Sequence, residues 1–406
     1  MRNLFSLFHK HFFVCLIIAL ILSLGLSYCL TPHALSNLLA ISILIKEIIM
    51  FMMPLLIMGC AFQCMYHLKR GGILMICVGV VTICLSNALS AWIGYGVSHI
   101  VSTPALQQAH TEHTTLLLPA FNFVLPKWLA NEWALMIGLL FGSLLSIKPS
   151  PLGARLDSLS KSGIHLILNK ILMPLLPIFI GGYFIKMHQD GVLNTIFYTY
   201  AKLALMMVGI YLLYLFFTYY LTSGLRLKKT YIHIKNVLPA AWVGFSAMSS
   251  LAALPLNLQA AQKNTQDSKW VGGILPISTN IHLVGDSIGI PFLAMALLIT
   301  YGHPLPDLYH YFIFSCFFVL SKFSVAAVPG GGILVMLPIL MQYLGFNAEM
   351  CAFITALYVL LDPIITCVNV LGNGMLMLVL DKFHYLKESR KINEKFKAKQ
   401  RLARLA

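Results

Sequence analysis

Ser250-Leu-Ala-Ala-Leu-Pro255 interrupts an apolar stretch of this 406-residue chain, and the same pattern returns as Ser324-Val-Ala-Ala-Val-Pro329. Each copy is followed by a second interruption, in which a polar residue, two apolar residues, a glycine and a polar residue succeed one another: His282-Leu-Val-Gly-Asp286 and Asn369-Val-Leu-Gly-Asn373. The chain beyond residue 235 therefore contains two copies of one unit. Breaks at membrane depth survive only around a cavity, where exposed backbone groups can face a ligand. We predict a binding site where the four interruptions meet.

The rest of the chain has the composition of a membrane protein. Hydrophobic residues make up 59% of it and charged residues only 10%, and its mean hydropathy is +0.84. Continuous apolar runs long enough to cross about 30 Å of hydrocarbon as a helix recur along its length. Open sheet edges could not be satisfied in lipid, so these runs predict an all-α membrane protein. Uninterrupted spans are expected near 12–30, 39–66, 72–100, 123–147, 163–186 and 193–222.

The formal net charge of +15 is distributed as in a multi-pass membrane protein. Nine of the 28 Lys and Arg residues lie between Lys382 and Arg404, and most of the others lie in short loops. The intervening loops, near 30–37, 100–122 and 300–310, contain no Lys or Arg. This alternation predicts a protein of the inner membrane with both termini in the cytoplasm. We expect the basic tail to contact anionic membrane lipids and expect no nucleic-acid partner.

Sequence motifs of the common enzyme classes are missing. The chain has no HExxH, GxSxG or P-loop pattern and no Cys/His cluster with the spacing of metal ligands. Ser250, His282 and Asp362 could be drawn as a nucleophilic set, but serines in two matching interruptions suit ligand capture better. We therefore predict a transporter for a small molecule, with no cofactor, rather than an enzyme.

Five segments, taken in order, resemble one family of transporters. Ile45–Leu55 resembles the family's second span, and Met173–Phe179 resembles its fifth. Phe245–Pro255 resembles the serine-rich tip of a first re-entrant hairpin, and Val328–Gly332 resembles the tip of a second. Asp362–Asn373 is similar to the polar stretch of the last span. The chain thus resembles a divergent member of the dicarboxylate/amino acid:cation symporters, which include the glutamate transporters.

The resemblance implies eight transmembrane helices and two re-entrant helical hairpins, arranged with inverted repeats in an elevator-type carrier that forms a homotrimer. Residues 1–66 (spans 1 and 2) and 101–186 (spans 4 and 5) would form the scaffold. The moving transport domain would contain 72–100 (span 3) and 193–381, which holds span 6, the first hairpin, span 7, the second hairpin and span 8. Spans 7 and 8 would both be broken helices. Residues 382–406 would form a basic cytoplasmic tail.

The resemblance also implies a substrate site. Ser249 and Ser250 would hold the substrate carboxylate, and Asp362 its amino group. Asp362 is one of very few carboxylates at membrane depth, where a charge is functional by default; a structural ion pair with Lys46 or Lys322 is the alternative. The full expected set is Ser249, Ser250, Asp286, Val328, Pro329, Gly330, Asp362, Ile365, Thr366 and Asn369.

Departures from the family pattern bear on the substrate. Carriers of acidic substrates place an Arg where this chain has Ile365 or Met248, and without one a buried substrate carboxylate would be uncompensated. Asp286 would repel the same carboxylate. A neutral amino acid is therefore favoured, with a polar or cationic one still open. The alternatives are a dicarboxylate:cation symporter and a substrate-gated channel or sensor that has lost coupled transport.

The coupling ion stays open between Na⁺ and H⁺. Val284 and Asn373 replace two carboxylates of the family's sodium sites, and hard cations prefer clustered anionic oxygens. A site built mainly from carbonyl groups around Asn280 and Ser324 could remain, or His282 and Asp286 could carry a proton. The residues expected at cation sites are Ser278, Asn280, His282, Ser324, Asn369 and Asn373, with no metal expected beyond Na⁺.

Overall fold

The computed structural model describes residues 12–67, 73–101, 117–126, 128–147, 150–191, 193–266, 268–325 and 330–403. All regular structure in these ranges is helical, with no strand, which confirms the all-α prediction. The helices are α1 (Phe12–Cys29), α2 (Pro32–His67), α3 (Ile73–Val101), α4 (Asn131–Ile147), α5 (Pro151–His165), a π-helical segment (Leu166–Leu172), α6 (Met173–Gln189), α7 (Leu193–Thr222), α8 (Leu227–Ala247), α9 (Ser250–Asn264), α10 (Ser268–Ile281), α11 (Val284–Thr300), α12 (Leu308–Ser321), a 3₁₀ segment (Lys322–Ser324), α13 (Gly331–Leu344) and α14 (Ala348–Ala403).

Within these ranges, six stretches are long and apolar enough to cross a membrane. They are Pro32–Tyr66, Val78–Ile100, Pro151–Gln189, Tyr200–Thr222, Ile274–Thr300 and Ala348–Phe383. Shorter apolar stretches are Val14–Cys29, Trp133–Ile147, Leu308–Ser324 and Gly331–Leu344. Length and composition thus support a helical membrane protein, whereas the expected eight spans and two re-entrant hairpins stay predictions.

Three of the four predicted interruptions separate helices. Met248, with a left-handed φ of 47°, lies between α8 and α9, which pack against each other. His282 and Leu283 separate α10 from α11. Gly330, with a φ of 71° that favours glycine, directly precedes α13. Each of these junctions exposes backbone groups that a continuous helix would pair internally.

The fourth predicted interruption is wrong: α14 continues as a helix through Asn369–Asn373. The polar side chains there find partners outside their own helix, since Asn369 donates to Asp286 and Asn373 donates to the carbonyl of His282. A glycine such as Gly372 weakens a helix by only about 1 kcal/mol relative to alanine. Polar residues and glycine in an apolar segment therefore do not require unwinding when a neighbouring helix satisfies them.

Helix α11 is the most deeply buried element of the C-terminal half. Every residue from Val284 to Thr300 is buried, and the helix packs against α3, α7 and α14. Helices α8 and α9 pack on α14, while α2 packs on α4, α5 and α6 and also contacts the 3₁₀ segment. This packing brings all three helix junctions to the polar face of α14. The division into scaffold and transport domain stays a prediction.

Candidate functional site

A small cavity lies where the helix junctions approach α14. Its volume is about 30 Å³, enough for only one or two water molecules. Its walls come from the α8–α9 junction, the α10–α11 break, α10, α11, α13 and α14, together with Val325, which follows the 3₁₀ segment. The residues that line it are Met248, Ser249, Ser250, Thr279, Asn280, Leu283, Asp286, Val325, Gly332, Tyr358, Asp362, Thr366 and Asn369.

Three helices begin at this cavity. Ser250 starts α9, Leu283 immediately precedes α11, and Gly332 lies in the first turn of α13, and all three residues line the walls. The first amide groups of a helix have no partner within it and carry partial positive charge. Three such ends at one cavity favour binding of an anionic group such as a carboxylate.

Asp362 is buried in the cavity wall, with 3% of its surface exposed. Its Oδ1 accepts a hydrogen bond from Thr366 Oγ1 (2.9 Å) and its Oδ2 accepts one from the backbone N–H of Gly330 (2.9 Å). In the described part of the chain, Lys46 is paired with Glu47. No ion pair there joins Asp362 to Lys46 or to Lys322. Because a carboxylate offers about four lone-pair sites, Asp362 can accept a further donor such as an ammonium group.

Asp286 is held by a different set of donors. Its Oδ1 accepts a short hydrogen bond from the hydroxyl of Tyr358, and its Oδ2 accepts one from Asn369 Nδ2 (2.7 Å). Asn369 Oδ1 in turn accepts from the backbone N–H of Gly285 (2.8 Å). A side chain at Gly332 would collide with both Asp286 and Tyr358, so this approach of α13 requires glycine. Asp286 is thus part of a network that joins α11, α13 and α14.

The break between α10 and α11 is bridged by a residue from α3. Asn87 Nδ2 donates to the carbonyl of Ile281 (2.7 Å), and its Oδ1 accepts from the N–H of Leu283 (3.2 Å). His282, between them, is buried, and its Nε2 lies 2.9 Å from the hydroxyl of Ser86. Asn87 therefore pairs two backbone groups that an unbroken helix would pair internally, and Ser86 contacts the side chain of the residue between them.

The residues expected at cation sites fall into two groups: Asn373 bonds to the carbonyl groups of His282 and Asn369, whereas Ser278 and Ser324 bond elsewhere. Asn280 lines the cavity, and its Oδ1 has no hydrogen-bond partner among the described residues. Ser278 donates to Leu275 within α10, and Ser324 donates to the carbonyl of Ile57 in α2 (3.2 Å). The hydroxyl group of Ser278 thus bonds within its own helix, and that of Ser324 joins the 3₁₀ segment to α2.

Asn373 occupies the place between two carbonyl groups. Its Nδ2 donates to the carbonyl oxygens of His282 (3.2 Å) and Asn369 (2.9 Å). Its Oδ1 and the Nδ1 of His282 are buried without a hydrogen-bond partner in the described ranges. The amide therefore satisfies two carbonyl groups that could otherwise face a cation.

The remaining expected substrate residues lie at or beyond the edge of the cavity. Ile365 is fully buried on α14 and does not line the cavity. Gly330 reaches the site through its N–H, which donates to Asp362. Val328 and Pro329 lie outside the described residues.

Several lining residues were not among those expected from the sequence: Met248, Thr279, Leu283, Val325, Gly332 and Tyr358. Tyr358 is the most informative of these, because it lies one helical turn before Asp362 and donates to Asp286. The spacing of Tyr358, Asp362 and Thr366 places them on one face of a helix, and that periodicity could have identified Tyr358.

Two comparisons with known proteins concern the chain as a whole. The family model described as the sodium:dicarboxylate symporter family matches residues 12–383. The chain is also similar to the proton/sodium-glutamate symport protein of Bacillus subtilis (strain 168), with 27% identity over 161 residues. That alignment covers 40% of this chain and 36% of the relative, so the chain matches only about a third of that protein's length.

Proposed function

This chain belongs to the sodium:dicarboxylate symporter family, and on that basis we propose that it carries a small neutral amino acid across the inner membrane in symport with a cation. Membership confirms the resemblance inferred from the five segments. It also confirms that the chain is a membrane transport protein rather than an enzyme.

The cavity that joins three helix starts to Asp362 is the observation that carries the proposal. An amino acid presents a carboxylate and an ammonium group on one carbon. The helix starts at Ser250, Leu283 and Gly332 suit the carboxylate, and Asp362 suits the ammonium group. The cavity has room for only one or two water molecules, so in this proposal its walls separate to admit the substrate, and a small side chain requires the least separation.

The charge of the walls disfavours an acidic side chain. The described lining contains Asp286 and Asp362 but no Lys or Arg, and residues 326–329, Ala-Ala-Val-Pro, add no charge. A second substrate carboxylate would be buried beside two aspartates without a cation to pair with it. A dicarboxylate is the second candidate, because the family as a whole carries such substrates.

For the transport cycle we propose the elevator arrangement of the family. Residues 1–66 and 101–186 would form the scaffold of a homotrimer, and residues 72–100 and 193–381 would move with the substrate. The packing of α11 between α3, α7 and α14 supports this grouping, because it joins α3 to the C-terminal half. The coupling ion in this proposal is Na⁺ or H⁺.

Uptake by purified protein in proteoliposomes tests the function. Labelled alanine, serine, glutamate and succinate would be offered under a sodium gradient at constant pH and, separately, under a proton gradient without sodium. We expect alanine or serine to accumulate at least tenfold faster than glutamate or succinate, and excess unlabelled alanine inside to drive counterflow. Faster uptake of glutamate or succinate would overturn the neutral substrate. Flux without counterflow would indicate a channel, and substrate binding without flux a sensor.

A further inference from the structure

Lys322 is a buried cation that takes no part in the proposed substrate site. It lies in the 3₁₀ segment that follows α12, with 0% of its surface exposed, and it does not line the cavity. Its Nζ makes no hydrogen bond with the residues that the structure describes. An ammonium group removed from water without a hydrogen-bond acceptor or a counter-charge is strongly unfavourable.

Two local features favour a positive charge at this position. The Nζ of Lys322 lies 4.2 Å from the centroid of the Phe318 ring, a cation–π contact. The residue also follows the last turn of α12, where unpaired carbonyl groups create a negative potential. Both features stabilise an ammonium group, but neither supplies the opposite full charge.

The opposite charge must come from a buried carboxylate. Among the described residues that are buried as a whole, only Asp286, Lys322 and Asp362 belong to the fully charged types; the side chain of Asp190 is also buried but is paired with Lys186. No ion pair of the described residues joins Lys322 to either aspartate, and of the two aspartates Asp286 is the one whose charge acts on Lys322. The hydrogen-bond donors on Asp286 are the neutral groups of Tyr358 and Asn369, so no cation of the described residues contacts this carboxylate directly.

We propose that Lys322 is a resident cation of the transport core, which balances Asp286 permanently and takes the place of one mobile coupling ion. This inference rests on the proposed function. Asp362 is then the one unbalanced buried charge among the residues that the structure describes. A zwitterionic amino acid adds no net charge, and a single Na⁺ or H⁺ makes the loaded core neutral, the state least costly to move through the membrane. One coupling cation therefore accompanies each substrate.

The number of cations carried with each alanine can be measured from the alanine gradient at which net flux is zero, with the membrane potential clamped at zero. We expect a tenfold cation gradient to hold a tenfold alanine gradient in the wild type. We expect K322M to be at least tenfold slower and to hold a gradient near 100-fold, because a second mobile cation must replace the missing ammonium group. The exposed Lys263 provides the control K263M, which should behave as wild type. A 100-fold gradient in the wild type, or an unchanged tenfold gradient in K322M, would overturn the inference.

A second measurement does not depend on transport and so separates this inference from the proposed function. Thermal unfolding in detergent would be compared for K322M, D286N and the double variant. Each single change leaves one buried charge unbalanced, so each should lower Tm, whereas the double variant should recover to within about 2 °C of wild type. A double variant that loses the sum of the two single shifts, or that fails to fold, would refute the pairing of these charges even if alanine is transported.

Discussion

Two carboxylates share one cavity wall but differ in what they can still bind. Both oxygens of Asp286, a residue of α11, accept hydrogen bonds from Tyr358 and Asn369 of α14. These bonds fix the carboxylate against α14. Asp362 accepts from Thr366 on its own helix and from the N–H of Gly330, which precedes α13. Because Asp362 makes fewer contacts with distant side chains, it is the carboxylate better suited to exchange partners during binding.

Replacing Asp362 by Asn should weaken binding of a neutral amino acid by about 10- to 100-fold, the range expected for losing one charge-assisted hydrogen bond in a buried site. The measurement is the KM for uptake or the Kd for a labelled substrate. Asp381, on the same helix, also accepts from a backbone N–H, that of Gln266, and Asp381→Asn should leave the KM unchanged. Wild-type affinity in Asp362→Asn would exclude this residue from ammonium binding.

Replacing Asn373 by Asp should create a cation site. The amide now donates to two carbonyl groups, whereas a carboxylate would repel them unless a cation lay between. Sodium chloride should therefore raise the Tm of Asn373→Asp by a few degrees over choline chloride. Asn257 also donates to a buried carbonyl, that of Val370, but to one only, so Asn257→Asp should respond less. Equal effects of the two salts on Asn373→Asp would contradict the prediction.

At the scale of the elements, the break between α10 and α11 depends on a third helix. Asn87 on α3 satisfies the last carbonyl of α10 and the N–H of Leu283. Both groups are buried, and each would lose free energy if left unpaired. The broken helix is therefore stable only when packed against α3, which makes α3 part of the same structural unit as the site.

Asn87→Leu should reduce the free energy of unfolding by about 2–4 kcal/mol, because two buried backbone groups lose their partners. Thermal unfolding in detergent would measure the change, and uptake should fall with it because the cavity residues Asn280 and Leu283 flank the break. Thr82 lies on the same helix and bonds only to its own backbone, so Thr82→Val should be nearly neutral. An unchanged Tm in Asn87→Leu would show that the break does not require α3.

At the scale of the whole molecule, an ionic network joins the two halves of the chain. Lys186, near the end of α6, contacts Asp190 (2.5 Å) and also Glu349 (2.9 Å), which begins α14. Tyr301, which follows α11, donates to the other oxygen of Glu349 (3.1 Å). If α6 belongs to a scaffold and α14 to a moving domain, as we propose, this contact must break when the domain moves.

Glu349→Gln should shift the equilibrium between conformations by roughly fivefold or more away from the one described here, since a partly buried ion pair contributes on the order of 1 kcal/mol. Distances between spin labels on α6 and α14 would report the shift. The Lys161–Asp157 pair lies within one helix, and Asp157→Asn should leave the distances unchanged. An identical distance distribution in Glu349→Gln would show that the network does not hold the two halves together.

The sequence alone determined the helical membrane class, the family and three of the four helix junctions. These features follow from hydropathy and from local motifs, since apolar runs must satisfy their backbone as helices in lipid, and Ser, Pro and Gly act on the residues beside them. Asp362 could be singled out for the same reason, because a carboxylate inside an apolar run is costly wherever it lies.

Only the tertiary structure decided which polar residues find partners. Asn369 and Asn373 were expected to break their helix and do not, because Asp286 in α11 and the carbonyl of His282 just before α11, 83 and 91 residues earlier in the chain, accept their hydrogen bonds. The roles of Tyr358, Asn87 and Lys322 depend in the same way on groups remote in sequence. A polar residue in an apolar segment needs a hydrogen-bond partner, and the packing of separate helices decides which group that partner is.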